Sequence, residues 1–283
     1  MLSQYLRNLG ICEPTRSKIV YTTLFGKSDS LKQPACSLPN WDLICVTNQR
    51  NISFGAWRPV FVEAIHRDPR RTARVFKILP WNLFPDAEES LFLDASIKII
   101  GPVDEFVERY CNKADLSCFV HPVRDCAYAE AQACIEKGND DPNTINWQMH
   151  AYRRGGFPPS SGLIASAVLH RRHTSDKVRH LMESWANEVE LHSVRDQLSF
   201  NYSSWATGVG YNPIPLDIFD NQYFEVQPHV RLQRFDENGK DVSRISEKAF
   251  HYIISIKSRI IRAIRRLRRI AKLLRDIKNP RQT

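Results

Sequence analysis

Short apolar, β-branched runs alternate along this chain with segments whose apolar residues step by three or four, and this alternation restricts the fold more than any single motif. Lys18 to Leu24 (KIVYTTL) and Asp42 to Thr47 (DLICVT) read as strands, as does Val60 to Ile65 after Pro59. Residues 69–79 change to helical spacing, with Ala73, Phe76 and Leu79 on one side, and Pro80 ends the helix. Ser90 to Asp94 (SLFLD) is nearly all apolar, the pattern of a strand covered on both faces. Helices are expected near 103–113, 125–137, 144–153, 174–190 and 194–204, with strands near 117–120 and from Gly162 to Leu169. The pattern predicts an α/β layered domain over residues 18–246, preceded by an N-terminal extension, 1–17.

Charge separates this body from the C-terminal segment. The chain of 283 residues has 40 Lys and Arg against 31 Asp and Glu, a net +9. Residues 252–283 hold 11 of those bases and one acid, Asp276, so the tail carries +10 and the rest is near neutral at −1. From about Glu247, Ile253, Ile256, Ile260, Ile264, Leu267, Ala271, Leu274 and Ile277 recur at helical steps. The segment 247–283 is therefore expected to be a basic amphipathic helix. Such a helix, with Arg262, Arg265, Arg266 and Arg269 beside an apolar stripe, suits an anionic membrane surface. A helix packed on the domain, or an arm that binds RNA, is the alternative. A nucleic-acid partner is disfavoured because the body, where a binding groove would lie, has no basic excess. No run approaches the roughly 18 apolar residues that span a bilayer. Met1 to Arg16 lacks the apolar region of a secretory signal. The seven cysteines are scattered without a C-x-x-C pair, as expected of reduced thiols rather than a zinc site. Together these features predict a cytoplasmic protein, peripheral on the inner face of the cell membrane.

Several positions carry candidate chemistry. Asp94 ends the most apolar strand, and ligands of open α/β sheets bind at the carboxyl ends of strands. A carboxylate there can hold Mg²⁺ or Mn²⁺ beside substrate phosphates, or it can cap the next turn. Arg70, Arg74 and Lys77 lie one helical turn apart and can neutralise a diphosphate; a solvated helix face is the competing expectation. His121-Pro122-Val123-Arg124-Asp125 leads from a strand into a helix that carries Glu130, a place suited to an anion, unless Asp125 simply caps that helix. Residues 155–162 (GGFPPSSG) lack the lysine of a phosphate-binding P-loop. His170, Arg171, Arg172 and His173 form a basic cluster at the end of a strand. Asp196, opening a later helix, can act as a base, accept a hydrogen bond from a sugar hydroxyl, or cap its helix. No G-x-S-x-G, H-E-x-x-H or G-x-G-x-x-G pattern is present.

Taken in order, KIVYTTLFG (18–26), DLICVTN (42–48), DPRRTARVFKILPWNLFPD (68–86), SLFLDASIKI (90–99), HPVRDCAYAEAQACIEKG (121–138), GGFPPSSGL (155–163), LHRRH (169–173) and SVRDQLSF (193–200) resemble the TOD/MUCI-type glycosyltransferase-like family. The resemblance implies a GT-A-like nucleotide-binding α/β/α sandwich that transfers a sugar from a nucleotide-sugar donor to a polysaccharide or lipid-linked glycan acceptor. It maps the D-x-D metal motif of such enzymes onto Asp94, with Ser96 in place of the second acid, which puts strict dependence on Mn²⁺ or Mg²⁺ in doubt. Arg74, Lys77, Asp94, Ser96, His121 and Arg124 become the expected donor-binding residues, and Asp196 and Glu130 the expected catalytic residues, candidate bases at the acceptor hydroxyl if the enzyme inverts. A nucleic-acid-binding protein using the basic tail and a catalytically inactive sugar-binding relative are the alternatives.

Overall fold

In the strand β1 (Lys18–Leu24) successive side chains leave on opposite faces, and both faces are apolar. Ile19 and Tyr21 enter one core, Val20 and Leu24 the other. This two-sided burial requires cover on each side of the sheet. A computed structural model describes residues 14–26 and 29–227. Most of the N-terminal extension lies outside those residues. So does the expected helix 247–283 with Arg262, Arg265, Arg266 and Arg269.

β1 pairs in parallel with β2 (Asp42–Thr47) and β4 (Glu89–Leu93), and β2 pairs in parallel with β3 (Arg58–Phe61). β7 (Ile164–Arg172) runs antiparallel between β4 and β6 (Leu116–Val120), and β8 (Asn212–Ile214) lies parallel to β6. The sheet is thus seven-stranded, ordered β3-β2-β1-β4-β7-β6-β8, and rich in parallel pairs. One face packs against α1 (Pro69–Ile78), α5 (Asp176–Leu191) and α6 (Gln197–Thr207) through Val75, Phe76, Leu181, Trp185 and Phe200. The other packs against α2 (Val103–Tyr110) and a two-stranded ribbon of β5 (Ile97–Ile99) and β9 (Phe224–Val226). A smaller core joins α3 (Ala127–Glu136), α4 (Pro142–Arg154) and Leu198 of α6. The expected α/β sandwich is present.

The structure departs from the expectations in four places. β3 ends at Phe61 instead of reaching Ile65, because its ladder follows β2 only from Ile44 to Thr47. β7 continues three residues past Leu169 and is antiparallel, so the cluster from His170 to His173 falls at the opposite end of the sheet from Asp94. There His170 and Arg171 are fully buried, Arg171 donating to the carbonyls of Lys77 (2.8 Å) and Ile78 (3.1 Å) and to the Tyr21 hydroxyl. Asp125 does not cap α3, whose N-cap is Cys126 without a side-chain bond. The β5, β8 and β9 strands, of three residues each, have no sequence pattern long enough to announce them.

Candidate active site

The carboxyl ends of β4 and β6 and the beginning of antiparallel β7 share one edge of the sheet. Asp94 comes directly after β4, and its N–H donates to Ala167 O at 2.8 Å. The pairing of β6 with β7 is irregular between Cys118 and Phe119, where the partner residues jump from Leu169 to Ala165. That irregularity opens β7 beside Asp94 and leaves Ser166 on the buried side, 3.1 Å from Asp196 Oδ2.

Above the edge lies α1. Asp68 caps it by accepting the Arg70 N–H at 2.8 Å, and Pro69 suits its first turn. Arg70 turns back to Asp68 and to Asn139 O, while Arg71 donates to the Val189, Glu190 and His192 carbonyls at the end of α5. Both are structural. Arg74 and Lys77, one turn on, instead reach the sheet edge. Lys77 Nζ lies 2.6 Å from Asp196 Oδ2 and 3.4 Å from Asp94 Oδ1. Arg74 Nε is 3.3 Å from Asp196 Oδ1 and its Nη1 3.6 Å from Asp94 Oδ1. Two cations and two carboxylates from three separate chain segments therefore form one network.

The network is layered. Lys77 and Asp196 have side chains 0% and 2% exposed, whereas those of Arg74 and Asp94 are 19% and 27% exposed. Asp196 occupies the N-cap position of α6 but makes no cap bond, so the capping alternative fails. Burial alone would push its carboxyl up; Arg74, Lys77 and Arg195 reverse this and hold it well below the usual carboxylate range. A carboxylate so stabilised is a poor proton acceptor. Its geometry makes it a holder of Lys77 and Arg74. Burial pulls the Lys77 ammonium down despite its two carboxylates, while Arg74, opposed by burial, is raised by Asp196 and then Asp94.

A second cluster lies at the β6 end of the same edge. Arg124 Nε binds Glu130 Oε2, and His121 Nε2 stands 3.7 Å from that oxygen. His121 Nδ1 accepts the N–H groups of Val123 (3.3 Å) and Arg124 (3.0 Å), which leaves the proton of a neutral ring on Nε2. Burial lowers the His121 pKa, so the ring is neutral at pH 7. Glu130 is 5% exposed and committed to Arg124. The charged and histidine side chains expected at the site thus divide between two groups. Arg74, Lys77, Asp94 and Asp196 make up the first, and His121, Arg124 and Glu130 the second. Ser96 is buried in the turn after Asp94, with its carbonyl accepting the Gln227 N–H at 2.8 Å. Ser166 adjoins the first cluster through Asp196 but carries no periodic or motif signal in the sequence.

The residues present do not fit a resident divalent ion at Asp94. Its Oδ1 already meets both cations of the first cluster, Ser96 is no carboxylate, and among the described residues there is no group of three His, Cys, Asp or Glu side chains placed to hold a metal. The cysteines among the described residues are free thiols.

Comparison with known proteins bears on what this edge does. The chain is 29% identical over 163 residues to the probable hexosyltransferase MUCI70 of Arabidopsis thaliana, covering 53% of this chain and 28% of that protein. It is 26% identical over 208 residues to the alkaline ceramidase TOD1 of Arabidopsis thaliana, covering 67% of this chain and 43% of that protein. The chain thus spans less than half the length of either curated relative. Among solved structures, the WbbM bifunctional glycosyltransferase superposes with a TM-score of 0.45 at 7% identity, over 74% of this chain and 40% of that one. Mouse xyloside xylosyltransferase 1 superposes with a TM-score of 0.41 at 13% identity, over 72% and 85%. The profile of the TOD1/MUCI70 glycosyltransferase-like domain matches residues 44–227, which include Asp94, Asp196 and both charge clusters. The chain belongs to the TOD1/MUCI70 glycosyltransferase-like family.

Proposed function

We propose that this protein is a hexosyltransferase-like glycosyltransferase that takes a sugar from a nucleotide-sugar donor and passes it to a polysaccharide or lipid-linked glycan at a membrane surface. The observation that carries this reading is the convergence of Arg74, Lys77, Asp94 and Asp196 on one sheet edge within a glycosyltransferase-like domain. In such a transfer the bond from the anomeric carbon to the diphosphate oxygen breaks and its electron pair leaves with the phosphate. The acceptor hydroxyl oxygen forms the new bond, and its proton passes to a basic oxygen at the site, that of Asp94 or of the departing diphosphate. Preorganised cations stabilise the charge that develops on the leaving group. Arg74, partly exposed, can face the phosphates, with Lys77 and Asp196 fixing it from beneath. Asp94 is the carboxylate of the first cluster that reaches solvent, and so the one able to meet the sugar or the acceptor. The Arg74 guanidinium, with the buried Lys77 adding its charge from beneath, takes the role that the family resemblance gives to Mn²⁺ or Mg²⁺.

Incubation of the full chain with a panel of nucleotide sugars, with and without EDTA, tests this. Release of a nucleoside diphosphate that EDTA does not reduce is the expected result. Asp94→Asn should lower turnover roughly 10²-fold or more with the fold intact. One relative is named a ceramidase, so the same preparation is offered ceramide. Cleavage of that amide without any response to a sugar donor refutes the glycosyltransferase assignment, and donor binding without turnover identifies an inactive sugar-binding relative. The expected membrane contact rests on the charge of residues 252–283. Among the described residues, no helix is long and apolar enough to cross a membrane.

A further inference from the structure

The loop between α4 and β7 takes no part in either charge cluster, yet it builds one wall of a cleft of about 480 Å³. That volume lies within the roughly 300–1,000 Å³ of small-ligand sites. Residues 156–159 form the wall, and Cys126, Tyr128 and Arg153 complete the lining. Gly156 makes the turn with φ +85°, and a Cβ there would meet no atom within 4 Å, so the cleft is open at that point. The wall itself is fixed. Tyr128 donates its hydroxyl to Phe157 O at 2.7 Å, and Ser161 Oγ donates to Pro158 O at 2.7 Å. Phe157 is backed by the rings of Tyr202 and Trp205, each 5.6 Å away between centroids.

The cleft borders the second charge cluster. Cys126 stands two residues past Arg124, and its carbonyl accepts the Glu130 N–H at 3.0 Å, so the lining is one helical turn from the Arg124–Glu130 pair. Just past the loop, Leu163 O accepts the His121 N–H at 2.8 Å.

The lining also selects among ligands. Two adjacent prolines have no N–H to offer a phosphate, and their exposed rings form an apolar surface with Tyr128. Beside it is a single cation. Arg153 is exposed, and its guanidinium lies over the Tyr128 ring, 4.6 Å from the centroid, which keeps it in the lining. Among the described residues it has neither an ion pair nor a hydrogen-bond acceptor, so its donors are available to a ligand. An apolar wall next to an unpaired guanidinium suits a ligand with an apolar face and a negative charge. At a site that extends a glycan, a sugar ring bearing a carboxylate has both.

We propose that this cleft binds an acidic sugar residue of the acceptor glycan, its ring against Pro158, Pro159 and Tyr128 and its carboxylate on Arg153. This inference rests on the glycosyltransferase reading above and gives the acceptor of that site a chemical class.

Calorimetric titration of the full chain, with and without UDP, GDP, ADP or CDP, tests the assignment. The probes are short oligomers of galacturonic, mannuronic and guluronic acid, each beside its methyl ester, which keeps the ring and removes the charge. Wild-type protein should bind at least one acidic oligomer, and its ester roughly tenfold or more weakly. Arg153→Gln should bring the acid down to the level of the ester while the ester and nucleoside diphosphates bind as before. Pro159→Ala should weaken acid and ester alike. No binding of any acidic oligomer overturns the proposal, as does equal affinity for acid and ester, or an acid affinity that survives Arg153→Gln. So does an Arg153→Gln loss shared equally by acid and ester with a lowered Tm, which would make Arg153 a brace for Tyr128. Wild-type protein that binds an acidic oligomer through Arg153 but no nucleoside diphosphate defeats the glycosyltransferase reading and leaves the acidic-sugar site standing.

Discussion

Lys77 and Asp196 face each other at 2.6 Å with almost no exposure, and what each does depends on the other. Removing one partner of a buried pair leaves a charge without compensation, which costs about 3–5 kcal/mol. Asp196→Asn should therefore destabilise the fold by about that amount in urea denaturation, more than its loss of two anionic contacts would suggest on a surface. Adding Lys77→Met should return most of the stability without restoring activity, because the buried charge is gone while the clamp stays broken. A double variant no more stable than Asp196→Asn would refute the pairing as the source of the loss. At this scale much of the first cluster was legible. Asp94 stood out because it ends an apolar strand, and Arg74 and Lys77 because they repeat at one helical turn, although that spacing suits a solvated face equally. The role of Asp196 was not legible. An aspartate before a helix reads as a cap or a base, and only the approach of α1 shows that it makes no cap bond and pairs with Lys77 and Arg74.

Strand direction decides which elements can share a site. The run from Ile164 to Arg172 could be recognised as a strand, but nothing in its composition states that it enters the sheet against its neighbours. Its antiparallel course sends His170 and Arg171 to the end of the sheet remote from Asp94, where they bind structure and not substrate. His170 Nε2 meets Glu89 Oε1 at 2.6 Å, and Lys18 Nζ meets Glu89 Oε2 at 3.0 Å, so one carboxylate ties β4 to both β7 and β1. Burial acts to raise the Glu89 pKa, but His170 and then Lys18 bring it down to about 2. Because the folded value lies below the unfolded value of 4.5, this group stabilises the fold fully above pH 4.5, and the contribution fades as pH falls toward 2. After allowance for solvent at Lys18, about 1–2 kcal/mol is involved. Urea unfolding at pH 6 and at stepwise lower pH should show this slope, and Glu89→Gln should flatten it between pH 4.5 and 2. An identical slope in the variant would place the acid sensitivity elsewhere. The short strands β5, β8 and β9 were hidden for a related reason, since three residues pair only because the larger sheet and α2 hold them in place.

Over the whole chain, charge and chemistry are divided. The clusters at the sheet edge are internally balanced, the body has a net charge of −1, and residues 252–283 hold the whole basic excess of the chain. A basic surface spread over the domain would attract any polyanion. A separate basic segment can bring the domain to an anionic surface while the site keeps its selectivity for a donor. Each Lys or Arg near an anionic bilayer contributes about 1 kcal/mol, and the attraction falls off within a Debye length of about 10 Å at 0.1 M salt. The full chain should therefore cosediment with vesicles containing phosphatidylserine and not with phosphatidylcholine alone, and less so as salt rises. Reversing Arg262, Arg265, Arg266 and Arg269 to Glu should reduce vesicle binding roughly 10²-fold or more. The same variant should bind nucleoside diphosphate as the parent does, since none of the four lies in residues 44–227, the stretch that matches the family. Equal binding of parent and variant to the anionic vesicles would remove the tail from membrane recruitment. Steeply salt-dependent binding to RNA, with no preference among vesicles, would assign the tail to nucleic acid instead.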